Sequence, residues 1–260
     1  MKNPVDNNVN LPRFFRIATV PYSNAFPLIQ YLQDVLPHAD ITQLLPSEMK
    51  LQLAAKNIDL ALMPIAEMNE LPNAQIVSNC CIACNGEVQS VLIYSKVPLA
   101  DIKSIALDSA SKTSVKACEF LLRQFYNVRP KKKLFNTRKH LNEMSSDAFL
   151  IIGDPALMYN SQGKYPFRYD LGQLWQKHTG LPLVFAAWIS CSSEWCQPAI
   201  IDALEHARNK GLTQLEHIVA MKHSRLPLPK EEMLKYYQDA IIYTIREEEQ
   251  IALEYFRKHC

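Results

Sequence analysis

The chain reads as an α/β protein of two three-layer lobes, and three observations predict it. Apolar, strand-like runs alternate with amphipathic, helix-like ones through the first two thirds of the sequence, a pattern that implies parallel pairing with helices covering the sheet faces. At 260 residues, 48% hydrophobic and 21% charged, the chain has material for roughly two lobes. No internal repeat or low-complexity linker separates those lobes, so a pair of crossing strands joins them rather than a flexible tether.

The elements follow in order. A first strand at 15–20 ends in Val20-Pro-Tyr-Ser-Asn-Ala-Phe-Pro27, where Asn24 stands before Ala-Phe-Pro-Leu as a helix start. A second strand is predicted at 40–45, and Ser47 caps a helix over 47–57. Strands at 59–63 and 76–84 lead to a fifth at 88–95, within Gly86-Glu-Val-Gln-Ser-Val-Leu-Ile-Tyr-Ser95. The strand at 104–108 precedes a helix capped by Ser111 or Thr113 and running to Tyr126. Pro130-Lys-Lys-Lys133 reads as a solvated loop. The strand at 148–152 feeds Asp154, read as a cap before Pro155, and a last strand is predicted at 183–190. Residues 197–225 and 230–258 read as long helices, with Leu, Ile, Ala and Tyr at three- and four-residue steps. The crossing strands are taken as 90–95 and 183–190. That makes 96–190 an inserted lobe and joins 1–95 to 191–260 as the other, with a cleft between them.

Composition excludes several classes. Twenty-eight basic and 26 acidic residues, net +2 and interspersed, give no broad positive field for nucleic acid or an anionic membrane. The start lacks the apolar stretch of a secretory signal, and no run is long enough to span a bilayer, so the expected location is the cytoplasm. Seven cysteines, an odd number, suit free thiols in a reducing compartment. Cys81-Ile-Ala-Cys84 has the spacing of a metal pair, but on a strand its two ends point to opposite faces and no second pair completes a tetrahedron. No metal is expected. Six glycines form neither GxGxxG nor a P-loop, and there is no Gly-x-Ser-x-Gly or His-Glu-x-x-His. Dinucleotide, P-loop, hydrolase and metalloenzyme chemistry lose their support, and no cofactor is expected.

What remains is a cleft addressed by helix starts. Asn24 and the Ser111-Lys-Thr-Ser114 segment follow strands, where unpaired N–H groups and the positive end of the helix dipole seat a carboxylate or phosphate. The same residue types also serve as ordinary N-caps. Asp154 would repel an anion, so it is read only as a cap. A small organic anion is the expected ligand.

Arg16-Ile-Ala-Thr-Val-Pro-Tyr-Ser-Asn-Ala-Phe-Pro-Leu28, Asp59-Leu-Ala-Leu-Met-Pro-Ile65, the Gly86 block and Ile105-Ala-Leu-Asp-Ser-Ala-Ser-Lys-Thr-Ser-Val115 resemble successive blocks of the chorismate dehydratase family. Ile151-Ile-Gly-Asp-Pro-Ala-Leu157, Tyr169-Asp-Leu-Gly-Gln-Leu-Trp175 and Thr179-Gly-Leu-Pro-Leu-Val-Phe-Ala-Ala-Trp188 continue the resemblance in order, and Glu247-Glu-Glu-Gln-Ile-Ala-Leu-Glu-Tyr-Phe256 resembles its end. That family belongs to menaquinone biosynthesis by the futalosine pathway. The resemblance implies a type II periplasmic-binding-protein-like fold, a cofactor-independent hydro-lyase and the dicarboxylate chorismate as substrate, with 3-[(1-carboxyvinyl)oxy]benzoate as product. It also implies active-site roles for Asn24 and Ser90, with Tyr22, Ser111, Thr113 and Ser114 as candidate substrate-binding residues. Two positions depart from the family pattern: Pro21-Tyr-Ser-Asn24 replaces the usual Ser-Tyr-Leu-Asn, and Ala18 stands where glycine is usual. Two other readings stay open, namely the related dihydroxynaphthoate synthase of the same pathway and a non-catalytic small-anion-binding protein. The oligomeric state is not legible.

Overall fold

A computed structural model of the protein describes residues 15–135, 145–222 and 228–260. Its strands are β1 (Phe15–Thr19), β2 (Ala39–Gln43), β3 (Leu60–Pro64), β4 (Gln75–Cys84), β5 (Val91–Ser95), β6 (Ser104–Asp108), β7 (Lys131–Phe135), β8 (Ala148–Ile152), β9 (Phe167–Asp170), β10 (Leu183–Ser190) and β11 (Ile242–Thr244). The α-helices are α1 (Phe26–Ile29), α2 (Leu32–Val35), α3 (Pro46–Ala54), α4 (Lys112–Phe125), α5 (Asp154–Met158), α6 (Leu171–Thr179), α7 (Pro198–Thr213), α8 (Leu215–Lys222), α9 (Lys230–Lys235) and α10 (Glu247–His259).

The strands form two sheets. The first has the order β11-β4-β10-β3-β1-β2, with β1 parallel to β2 and β3, and β10 antiparallel to β3 and β4. The second has the order β7-β6-β8-β5-β9, with β6 parallel to β7 and β8, and β5 antiparallel to β8 and β9. Strands covered on both faces read as uninterrupted apolar runs; every residue of β3 and β8, and of the antiparallel β5 and β10, is buried.

Sheet membership differs from the expected crossing. Val91–Ser95 pairs only within the second sheet, whereas Leu183–Ser190 lies in the middle of the first. Neither strand crosses. The chain passes between sheets at 85–90 and returns between α6 and β10, so division lines at 95/96 and 190/191 would cut each strand away from its own sheet. Length misleads here: two buried apolar runs look alike in sequence whichever sheet they join.

Other differences have local causes. Lys131–Phe135 is an edge strand whose first four residues are exposed, the place where lysines discourage further pairing. Ser47 does not cap α3; Pro46 opens that helix and Glu48 Oε2 accepts from the Leu45 N–H at 2.9 Å. The segment at 230–258 is broken: α9 passes into a π-helical turn (Tyr236–Ala240), then β11, then α10. Ile241-Ile-Tyr-Thr-Ile245 is β-branched and aromatic, which favours a strand over a helix. The segment at 197–225 contains α7 and α8, broken at Gln214; its last residues, 223–225, lie outside the described residues, as does the start of the chain on which the leader expectation rests.

The two lobes are also stitched by α10, whose Tyr255 and Phe256 meet Trp175 of α6 at ring distances of 6.0 and 5.9 Å. Cys80, Cys81 and Cys84 are buried in β4, and burial pushes the Cys80 thiol up to about 11. Among the described residues no helix is long and apolar enough to cross a membrane.

Candidate active site

A cleft lies between the two sheets, lined from one side by Tyr22, Asn24 and Phe185 and from the other by Ser111, Ser114 and Gly153. Ser90, on the segment crossing between the sheets, completes the wall. Of the sequence-predicted residues, Asn24, Ser90, Tyr22, Ser111 and Ser114 therefore meet at one cavity.

Thr113 does not line it. Its side chain is fully buried, and its Oγ1 accepts from the Ala66 N–H at 3.1 Å, so it ties α4 to the turn after β3. Ser111 is the N-cap of α4: its Oγ accepts from Ser114 N–H at 3.3 Å and lies 3.2 Å from Ser114 Oγ. Both residues line the cleft at the positive end of a helix of 14 residues. Asp154 is the first residue of α5 rather than its cap, since Gly153 holds the cap position at φ +77°. The Asp154 carboxylate instead accepts from Ser23 N–H at 3.0 Å and Ser23 Oγ–H at 2.5 Å, a contact from one lobe to the other.

Ser90 is held on every side. Its N–H donates to Val88 O at 2.7 Å, its carbonyl accepts from Gly153 N–H at 2.7 Å, and its Oγ accepts from Tyr236 Oη at 2.8 Å. Behind it, the buried Asp170 carboxylate accepts from the N–H groups of Val88 (3.0 Å), Gln89 (2.7 Å) and Gln173 (3.1 Å). One side chain thus pins the outgoing crossing to the start of α6. Burial raises the Asp170 carboxyl above its ordinary range, and the backbone N–H bonds pull it back in part. Tyr236 is raised by burial, with smaller opposing contributions from Ser90 and Asn24, so its phenol stays a proton donor. Asn24 Oδ1 is buried with no donor of its own among the described residues.

Sequence reasoning missed Tyr236, Asp170 and the Ser23–Asp154 contact. Asp170 carried a usable signal, an N-cap residue before an amphipathic run. Tyr236 carried none, because its partner lies 146 positions earlier in the chain.

Among the described residues no charged side chain lines the cavity. An anion held there meets hydroxyls, an amide and the α4 terminus, which can neutralise charge without a fixed cation.

Two lobes closing over a cleft at the strand ends define the periplasmic-binding-protein-like class. Solved structures agree on the fold: protein AF1704 from Archaeoglobus fulgidus superposes with a TM-score of 0.75 at 15% identity, covering 95% of this chain and 97% of that one. The alkanesulfonate-binding protein SsuA from Xanthomonas axonopodis pv. citri, bound to MOPS, gives 0.67 at 13% identity, with 95% and 91% covered. Within that class the chain belongs to the menaquinone biosynthesis family, whose model matches residues 15–260. It is 26% identical over 256 residues to the chorismate dehydratase of Thermus thermophilus, covering 90% of this chain and 91% of that one.

Proposed function

We propose that this protein is a cytoplasmic hydro-lyase that removes water from chorismate to give 3-[(1-carboxyvinyl)oxy]benzoate, with no cofactor taking part. The observation that carries the reading is the meeting of Asn24 and Ser90 at one cleft wall, with the Asn24 acceptor oxygen left without a donor. A ring hydroxyl supplies that donor. Membership of the family and the likeness to the Thermus dehydratase support the substrate.

The chemistry needs little from the protein. The ring C–H electron pair becomes a ring π bond as the C–O bond breaks, and the hydroxyl leaves with the proton as water; the gain of aromaticity drives the step. Ser90 donates to the departing oxygen and stabilises charge developing on it, while Asn24 Oδ1 accepts the hydroxyl proton and orients the group. Ser111, Ser114 and the α4 terminus take a carboxylate, and Tyr22 covers the ring. Neither Asn24 nor Ser90 is a base, and among the described residues no carboxylate, Lys or His lines the cavity. The enolpyruvyl carboxylate of the substrate takes the ring proton and passes it to the departing hydroxyl, which leaves as water, and confinement in the cleft holds these groups in reach.

The test compares rates of product formation by the wild type and by Asn24→Ala and Ser90→Ala. Each variant should fold as the wild type does; Ser90→Ala should lose roughly 100-fold in kcat, the cost of removing one oriented donor at developing charge, and Asn24→Ala should lower kcat through loss of the acceptor that orients the hydroxyl. Wild-type turnover in both would remove their roles. The solute-binding reading, suggested by the likeness to SsuA, predicts retention of chorismate without product in the same assay.

A further inference from the structure

We infer that Tyr236 is a positioning residue of this site: by donating to Ser90 Oγ it turns the Ser90 hydroxyl proton into the cleft, onto the oxygen that leaves the substrate. The inference rests on the dehydratase reading and adds a residue from the far end of the chain.

Hydrogen-bond inventory leads to it. A serine hydroxyl has one proton and two acceptor sites. Tyr236 Oη, 3% exposed as a residue and 2.8 Å away, occupies one acceptor site. The Ser90 N–H and carbonyl are already committed to Val88 and Gly153, so the hydroxyl proton is the one donor the residue has left to offer. Ser90 is buried by protein yet borders the cavity, which leaves the cleft as the direction for that proton. Asn24 Oδ1, buried beside the same cavity without a donor, supplies the complementary acceptor. Together they bracket one substrate hydroxyl, Asn24 accepting its proton while Ser90 donates to its oxygen. A serine that is itself accepting a hydrogen bond is a stronger donor, and this strengthening grows as negative charge builds on the leaving oxygen.

The placement of Tyr236 fits a dedicated role. It begins the π-helical turn Tyr236–Ala240, a rare conformation frequent at functional sites, and that turn carries the phenol from the last part of the chain under the crossing segment.

Three readouts test the assignment. Tyr236→Phe removes one oxygen; kcat should fall about 10-fold while KM stays within about twofold, the signature of an interaction made only in the transition state. In a Ser90→Ala background the same substitution should produce no further loss, because its route to the substrate is gone. A purely structural role predicts losses that multiply in the double variant, and that result, an unchanged kcat, or a change in KM alone overturns the inference. Independently of activity, the Tyr236 hydroxyl proton, assigned in proton NMR through its own ring protons, should shift and exchange faster in Ser90→Ala; an unmoved signal overturns the inference as well. If the wild type leaves chorismate intact, it is the dehydratase reading that fails, and the NMR comparison still decides whether Tyr236 holds Ser90.

Discussion

Gly153 shows how closely the site is built at single residues. Its φ of +77° lies in the region that favours glycine, and a Cβ there would come within 3.1 Å of the Tyr22 ring. Gly153→Ala should cost roughly 1–3 kcal/mol of stability from backbone strain and displace Tyr22 toward the cavity. KM for chorismate should rise several-fold, and a variant with wild-type KM would mean that the Tyr22 ring is not part of the binding surface. At this scale the sequence was informative where a functional residue ends a strand or opens a helix. Asn24, Ser111 and Ser114 stand at helix starts and Ser90 immediately precedes β5, and all four reach the cavity. Thr113 sits among them in sequence, yet its hydroxyl turns to Ala66, since the side of a helix start that faces the neighbouring lobe is settled only by tertiary packing. Tyr236 was read simply as one of the apolar positions of a helix.

The α4 start also carries an element-scale latch. Lys112 pairs with Glu70 on the 3-10 segment Ile65–Glu70, and Lys50 of α3 meets the same carboxylate at 2.6 Å. These ammonium groups, Lys112 first, hold the Glu70 carboxyl down to about 2. A lowered carboxylate pKa stabilises the paired form above the ordinary value of 4.5 and loses that contribution as pH falls toward 2, so at neutral pH the contact is charged and salt weakens it. Glu70 is well exposed, and such a pair is worth about 1 kcal/mol or less. Lys112→Ala should accordingly shift the ligand-free protein modestly toward an open cleft, seen as a larger radius of gyration in small-angle X-ray scattering, and high salt should do the same to the wild type. Identical scattering from variant and wild type would show that the latch carries no weight. Elements were legible in sequence wherever a run was long and uniformly apolar, as in β3, β8 and β10. β7 was hidden by its lysines and β9 by its shortness. β11 was hidden by flanking helices whose periodicity ran on through Ile241-Ile-Tyr-Thr-Ile245.

For the whole molecule, two α/β lobes around a cleft were readable from strand–helix alternation and the absence of a linker, whereas the assignment of β5 and β10 to their sheets was not, because pairing partners far apart in sequence leave no local trace. The structure adds that the lobes are in contact across the cleft through Ser23–Asp154, Ala66–Thr113 and Glu70–Lys112. Closure of this kind excludes water from a small cavity and concentrates hydroxyl and amide groups on whatever is enclosed. The central claim is that this enclosure is itself the catalyst for dehydration. A proton NMR time course of chorismate with the purified protein tests it most directly. The account predicts that the ring's aliphatic signals disappear as aromatic signals of the carboxyvinyloxy benzoate grow, at a rate proportional to protein concentration and lost in Ser90→Ala. Chorismate that binds, broadens and remains chemically unchanged would contradict it.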